Sequence, residues 1–191
     1  MFKSDMKTLL FVVVAILATG CESGHLKSSA TEPQMPFGGP DDVSYAGKLW
    51  QSMLDQNLVG SRSVRSTPYK GMHPHGAILD TIESTLTQSG HNGEVIVKKN
   101  FGGKGISKEA VANNPDKWLM AVTVMYRREA GYDPDNRDWF WVKYAPDGSV
   151  MKNPKGMALA GRVAKDMSEG CIACHTAAPG GDFVYNHDRY K

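Results

Sequence analysis

Cysteine is scarce in this chain: three occur in 191 residues, at Cys21, Cys171 and Cys174. The close pair near the C-terminus has no second pair to complete it. With one neighbouring imidazole it stays one ligand short of a four-ligand structural zinc site. A net excess of charge is also missing, since 22 basic residues face 20 acidic ones. That balance gives no electrostatic reason to expect nucleic acid or long-range steering to an anionic surface, and favours small ligands or a partner protein. No apolar run is long enough to span a bilayer. The longest, Leu9 to Ala18, follows Lys3 and Lys7 and leads into Thr19-Gly20, the layout of an export signal. A phosphate cradle is absent as well: Phe101-Gly102-Gly103-Lys104-Gly105 lacks both the P-loop spacing and the hydroxyl residue after its lysine, and reads as a loop.

What the leader does contain predicts export. Residues 1–20 form a signal peptide, and Leu17-Ala18-Thr19-Gly20-Cys21 resembles a bacterial lipobox in which Cys21 is lipidated. Ordinary cleavage near Gly20, leaving a free thiol, is the alternative. The mature protein is then periplasmic or a membrane-anchored lipoprotein that touches the membrane only through its anchor. Residues 21–40, rich in Ser, Gly and Pro, read as a flexible tether. Residues 41–191, with 41% hydrophobic content in the whole chain, suffice for one domain with a core.

The most specific signal is Cys171-Ile172-Ala173-Cys174-His175. Residues three and four apart share a helical face, so both thiols and the imidazole can meet one object. This spacing encodes covalent attachment of one haem c: the thiols become thioethers to the porphyrin, and His175 ligates the iron. A simple Cys171–Cys174 disulfide leaves the adjacent His175 unexplained.

Upstream, hydrophobic spacing predicts an amphipathic helix capped by Asp41 or Asp42, with Val43, Ala46, Leu49, Trp50, Met53 and Leu54 as its core stripe, ending before Gly60. His73-Pro74-His75-Gly76 reads as a turn, with approach of one histidine to the haem's open face as the alternative. Ala77 to Leu86 predicts a strand, and Gly90 to Gly93 a turn into a second strand, Glu94 to Lys99. Alternation puts Val95, Val97 and Lys99 on one face and Glu94, Ile96 and Lys98 on the other. Ser107 caps a short helix through Asn113. Trp118 to Arg128 predicts a central strand apolar on both faces, and Asp138 to Tyr144 its antiparallel partner. A short strand over Ser149 to Lys152 and a helix over Gly156 to Ser168 complete the expectation. Phe183-Val184-Tyr185 supplies aromatics to cover a porphyrin edge.

These residues together resemble the cytochrome P-460 family. The resemblance rests on His73-Pro74-His75-Gly76, on Gly93-Glu94-Val95-Ile96-Val97-Lys98-Lys99, on Gly131-Tyr132-Asp133 with Asp138-Trp139-Phe140-Trp141, and on the Cys171–His175 motif with Asp182-Phe183-Val184-Tyr185. It spans about Asp41 to Lys191 and implies an α+β fold: an antiparallel, β-rich domain with flanking helices, one C-terminal c-type haem, and a homodimer. It also implies binding, and in the family's defining enzymes oxidation, of small nitrogen species such as hydroxylamine or nitric oxide at a five-coordinate iron. Those enzymes carry a lysine cross-linked to the porphyrin, and by motif position that residue is Lys98, with Lys99 as the alternate. Related members bind diatomic gases without turnover.

Oxidation of a nitrogen ligand needs a proton acceptor, for which Glu94, Glu129 and Asp133 are candidates. Arg127 and Arg162 are candidates for the haem propionates, against the plainer reading of solvated arginines. The rival functions are an electron carrier with Met151 or Met157 as sixth ligand and a gas-binding protein that does no chemistry. A redox partner protein is expected for the first reading and for the electron carrier.

Overall fold

In the computed structural model, residues 36–185 are described, and all fall in one unit, Pro33–Lys191. The export signal, Cys21 and the tether up to residue 35 lie outside the described residues. Among the described residues no helix is long and apolar enough to cross a membrane. A six-stranded sheet organises the rest: β1 (Tyr69–Lys70), β2 (Ile78–Gln88), β3 (His91–Phe101), β4 (Leu119–Arg127), β5 (Trp139–Tyr144) and β6 (Ala160–Gly161). Each strand pairs antiparallel with the next in chain order. Four helices flank it: α1 (Pro40–Asp55), α2 (Lys108–Asn113), α3 (Pro115–Trp118) and α4 (Cys171–His175). This is the expected α+β class.

The period-two pattern sorts the sheet's faces. On one face Val95, Val97, Val122, Val124, Tyr126, Phe140, Val142 and Tyr144 meet Ala46, Leu49 and Met53 of α1. The Tyr144 hydroxyl donates to the Ala46 carbonyl at 2.7 Å, fixing the helix on the sheet. Leu49 is wholly buried there, so Leu49→Ala is expected to cost about 2–5 kcal/mol of stability. Urea unfolding measures it, and a loss under about 1 kcal/mol would contradict this packing. On the opposite face Ile96, Met125, Trp139 and Trp141 meet Phe37, Val163, Ala164 and Ile172. Phe37 lies within the stretch expected as tether and is packed against the sheet.

Local details depart from the expectation in four places. Gly39, not Asp41 or Asp42, precedes the first turn of α1, and Pro40 sits at its start with both carboxylates inside that turn. The β2–β3 turn is Ser89-Gly90, both at positive φ (51° and 84°), earlier than the Gly90–Gly93 turn expected. Two central residues at positive φ match the twist of a tight hairpin. Residues 149–152 make only isolated bridges, Tyr144 with Val150 and Lys152 with Ala158. The helix expected over Gly156–Ser168 is absent. Ala160 pairs with Val142 as β6, and Gly161, Ala164 and Asp166 adopt positive φ, which a right-handed helix excludes.

Candidate functional site

The Cys171–His175 turn sits over the face that α1 does not cover. Ile172 plugs into the apolar cluster with Trp139, Trp141 and Val163, and its amide donates to the Val163 carbonyl at 3.2 Å. Gly170 allows the close approach: a Cβ there would lie 2.3 Å from the Ala164 Cβ. With Ile172 turned inward, Cys171 is partly covered, Cys174 is exposed and His175 is buried. Neither thiol is in a disulfide. Burial pushes the Cys171 thiol up to about 11.

His175 is oriented by the chain that follows it. Its Nδ1 lies 2.6 Å from the Phe183 carbonyl oxygen. A carbonyl only accepts, so Nδ1 carries the proton and Nε2 the lone pair that a metal needs. Burial, with a smaller push from the Lys98 charge, lowers the His175 pKa, and the Phe183 carbonyl opposes that shift. The returning segment is pinned at several points. Trp139 Nε1 donates to the Asp182 carbonyl at 3.1 Å, Arg127 donates to the Asp182 carboxylate at 2.9 Å, and the Tyr185 hydroxyl donates to the Cys174 carbonyl at 3.0 Å. Trp141 packs edge-on against the imidazole with ring centres 4.8 Å apart, and Tyr185 with centres 5.3 Å apart.

The two lysines part company as alternation requires. Lys98 stands in a row with Thr123 and Lys143 across β3, β4 and β5, on the face that carries Ile96, Met125 and Trp141. Burial lowers the pKa of both His75 and His175, and the Lys98 charge adds to that shift in each. Lys99 faces the other way, where its ammonium donates to Ser63 Oγ and the Val64 carbonyl, each at 2.8 Å. Both side chains are buried.

The three carboxylates proposed as proton acceptors each have a cationic partner. Glu94 pairs with Arg127 at 2.8 Å and Glu129 with Arg128 at 2.5 Å, and Asp133 is wholly buried against Lys165 at 2.5 Å. Arg127, besides bridging Glu94 and Asp182, lies 4.1 Å over the Trp139 ring, which makes it a clamp on the C-terminal segment. Arg162 stacks 4.3 Å over Tyr132. Met157 packs against the same apolar cluster as Cys171, and Met151 is held at the sheet edge, its amide donating to the Lys143 carbonyl at 2.9 Å.

Asn100 is a site residue that the sequence reading missed. It lies on the same face as Lys98, at the β-bulge where β3 shifts register against β4. Its Nδ2 donates to the Lys98 carbonyl at 2.9 Å, the Ala121 carbonyl at 3.3 Å and Thr123 Oγ1 at 3.1 Å, while its Oδ1 faces His75 Nδ1 at 3.0 Å. The signal was available: continuing the alternation Ile96, Lys98 brings a polar amide to a buried face. His75 is carried by a loop pressed onto β3, where a Cβ on Gly76 would lie 2.5 Å from the Phe101 backbone.

These residues fit a haem on their donor chemistry. Two unpaired thiols flank one turn, an oriented imidazole presents Nε2, and Trp141 Nε1, buried beside it, has no hydrogen-bond partner among the described residues. Among the described residues no group of three or more His, Cys, Asp or Glu side chains is placed to hold a metal ion by itself. No curated protein and no solved structure matches the chain. Residues 61–186, which include β1 to β6, the histidine loop and the Cys171–His175 turn, match the family described as Cytochrome P460. The chain therefore belongs to the cytochrome P460 family and is a haem protein.

Proposed function

We infer that the mature protein is an exported, homodimeric mono-haem c-type cytochrome that binds and oxidises small nitrogen species, hydroxylamine or nitric oxide, and passes electrons to a redox partner protein. Cys171 and Cys174 hold the porphyrin, His175 ligates the iron from one side, and a lipid on Cys21 tethers the protein to a membrane. With His175 as its protein ligand the iron is five-coordinate and open to the nitrogen ligand. The bound haem supplies a redox-active iron for electron transfer from the nitrogen ligand.

One observation carries this reading: the His175 imidazole, on the same turn as two unpaired thiols, is locked by the Phe183 carbonyl at 2.6 Å with its Nε2 available. The chain's own contributions follow from its residues. Phe183 fixes the imidazole tautomer, Trp141 and Ile96 provide an apolar wall, and Lys98 brings a buried amine on the haem-facing side of β3. Lys98 is the residue assigned to the porphyrin cross-link; Lys99, engaged by Ser63 and Val64, is not.

The test is hydroxylamine oxidation by the matured protein with an artificial electron acceptor, paired with carbon monoxide binding to the reduced form. Acceptor reduction that depends on hydroxylamine is expected, together with a carbon monoxide spectrum. A reduced protein that takes up no carbon monoxide and shows methionine ligation would establish the electron-carrier alternative instead.

A further inference from the structure

A haem brings two carboxylates with it, and the arginines that the sequence offers for them are committed elsewhere. Arg127 spans Glu94 and Asp182, and Arg162 donates to the Tyr132 carbonyl while stacking on the Tyr132 ring. A carboxylate laid on a largely apolar face is destabilising unless a donor or a cation meets it. Among the described residues three buried side-chain atoms have no hydrogen-bond partner: Gln88 Nε2, Tyr132 Oη and Trp141 Nε1. Gln88 is tied to Ser52 of α1, and Tyr132 packs against the cluster on the α1 side of the sheet. Trp141 stands on the other face, the one that carries the Cys171–His175 turn.

Two tryptophans share that face of β5 and differ in one respect. Trp139 Nε1 donates to the Asp182 carbonyl at 3.1 Å. The Trp141 indole, 3% exposed and edge-on to His175 at 4.8 Å, holds an N–H that no described residue accepts. An indole nitrogen can only donate, so its complement is an acceptor brought in from outside. Lys143 follows two residues later, on the same face, in the row with Thr123 and Lys98. It is half-buried, and its ammonium has no ion pair or hydrogen bond among the described residues. Burial raises the Cys171 thiol and lowers His75, and the Lys143 charge reaches both groups. The other polar groups of the row are occupied: Thr123 Oγ1 is shared by Asn100 and the Lys98 carbonyl.

We propose that Trp141 Nε1 and the Lys143 ammonium hold the haem's propionate carboxylates, the indole by a neutral hydrogen bond and the lysine by its charge. This rests on the haem binding inferred above. The propionate oxygens are the strong acceptors a haem carries, so one group answers both the buried N–H and the unpaired cation. The lysine then has a second effect. A positive charge at the edge of the haem favours the ferrous iron, and removing it should shift the ferric–ferrous equilibrium by about tenfold at the effective dielectric of a protein surface.

Resonance Raman spectra of the reduced, matured protein test this, because the bending vibration of a haem propionate rises in frequency with the hydrogen bonds its carboxylate receives. Trp141→Phe and Lys143→Met should each lower a propionate mode at unchanged haem content, and Arg162→Met should leave both modes where they are. Lys143→Met should also lower the reduction potential by about 59 mV, the tenfold change for one electron, and Lys143→Arg should restore it. Modes and potential that match wild type in Trp141→Phe and Lys143→Met, or modes that move in Arg162→Met instead, would overturn the assignment. A crystal structure of the wild-type holoprotein needs no variant to fold. It should show propionate oxygens within about 3.2 Å of Trp141 Nε1 and about 4 Å of Lys143 Nζ. Both propionates held by other residues or by solvent would overturn the proposal equally. If the propionates behave as described while hydroxylamine is not oxidised, the nitrogen-oxidising function fails and the anchoring stands.

Discussion

Replacing Cys171 and Cys174 together by serine is expected to abolish covalent haem: the exported protein should show no haem stain on a denaturing gel, where wild type stains in full. The two thiols are the groups at this turn able to form thioethers, and they are unpaired and one turn apart. Serine keeps the size and the local hydrogen bonding of the turn. Ile172, the residue that anchors α4 in the apolar cluster, is untouched, so the variant should retain its fold by circular dichroism. Each single substitution removes one of the two linkages, so a residual stain is expected from either. A double variant that stains as strongly as wild type would mean that the haem is attached elsewhere.

Lys98→Met is expected to lower hydroxylamine oxidation by about 10–100-fold, the range typical when a group that tunes a metal site is removed. Methionine preserves length and apolar stem in a buried position and deletes the amine. The companion variant, Lys99→Met, should behave oppositely. It deletes two hydrogen bonds, to Ser63 and Val64, on the face turned away from His175, and should cost about 1–3 kcal/mol of stability while oxidation by the folded fraction is unchanged. Steady-state oxidation rates and urea unfolding on the two variants measure this contrast. Equal loss of activity in both would contradict the division of labour between neighbouring residues on β3.

Much of this division is legible in the sequence. Alternation alone requires Lys98 and Lys99 to face opposite ways, and the apolar doubling of Leu119–Arg127 marks the strand between β3 and β5 in the sheet. The Cys171–His175 spacing announces its chemistry because a single turn fixes the relation of all three side chains. Less legible were features set by contacts distant in sequence. Residues 156–168 have a passable helical pattern, yet pairing of Ala160 with Val142 and positive φ at Gly161, Ala164 and Asp166 decide the outcome. His75 looked like a turn residue beside proline. Its proximity to His175 depends on Asn100, on a bulge, and on Gly76 lying against Phe101, none of which a local window shows. The C-terminal clamp is similar: Arg127 and Trp139 reach Asp182 from the sheet, and only that closure brings the Phe183 carbonyl to the imidazole.

Mass spectrometry of a protease digest of the matured protein is the most direct measurement. A peptide spanning Cys171 to His175 should carry one haem through both sulfurs, and that haem should be joined covalently to the peptide bearing Lys98. Recovery of Cys171 and Cys174 as unmodified thiols or as cystine, with no haem on any fragment, would contradict the haem assignment at its root.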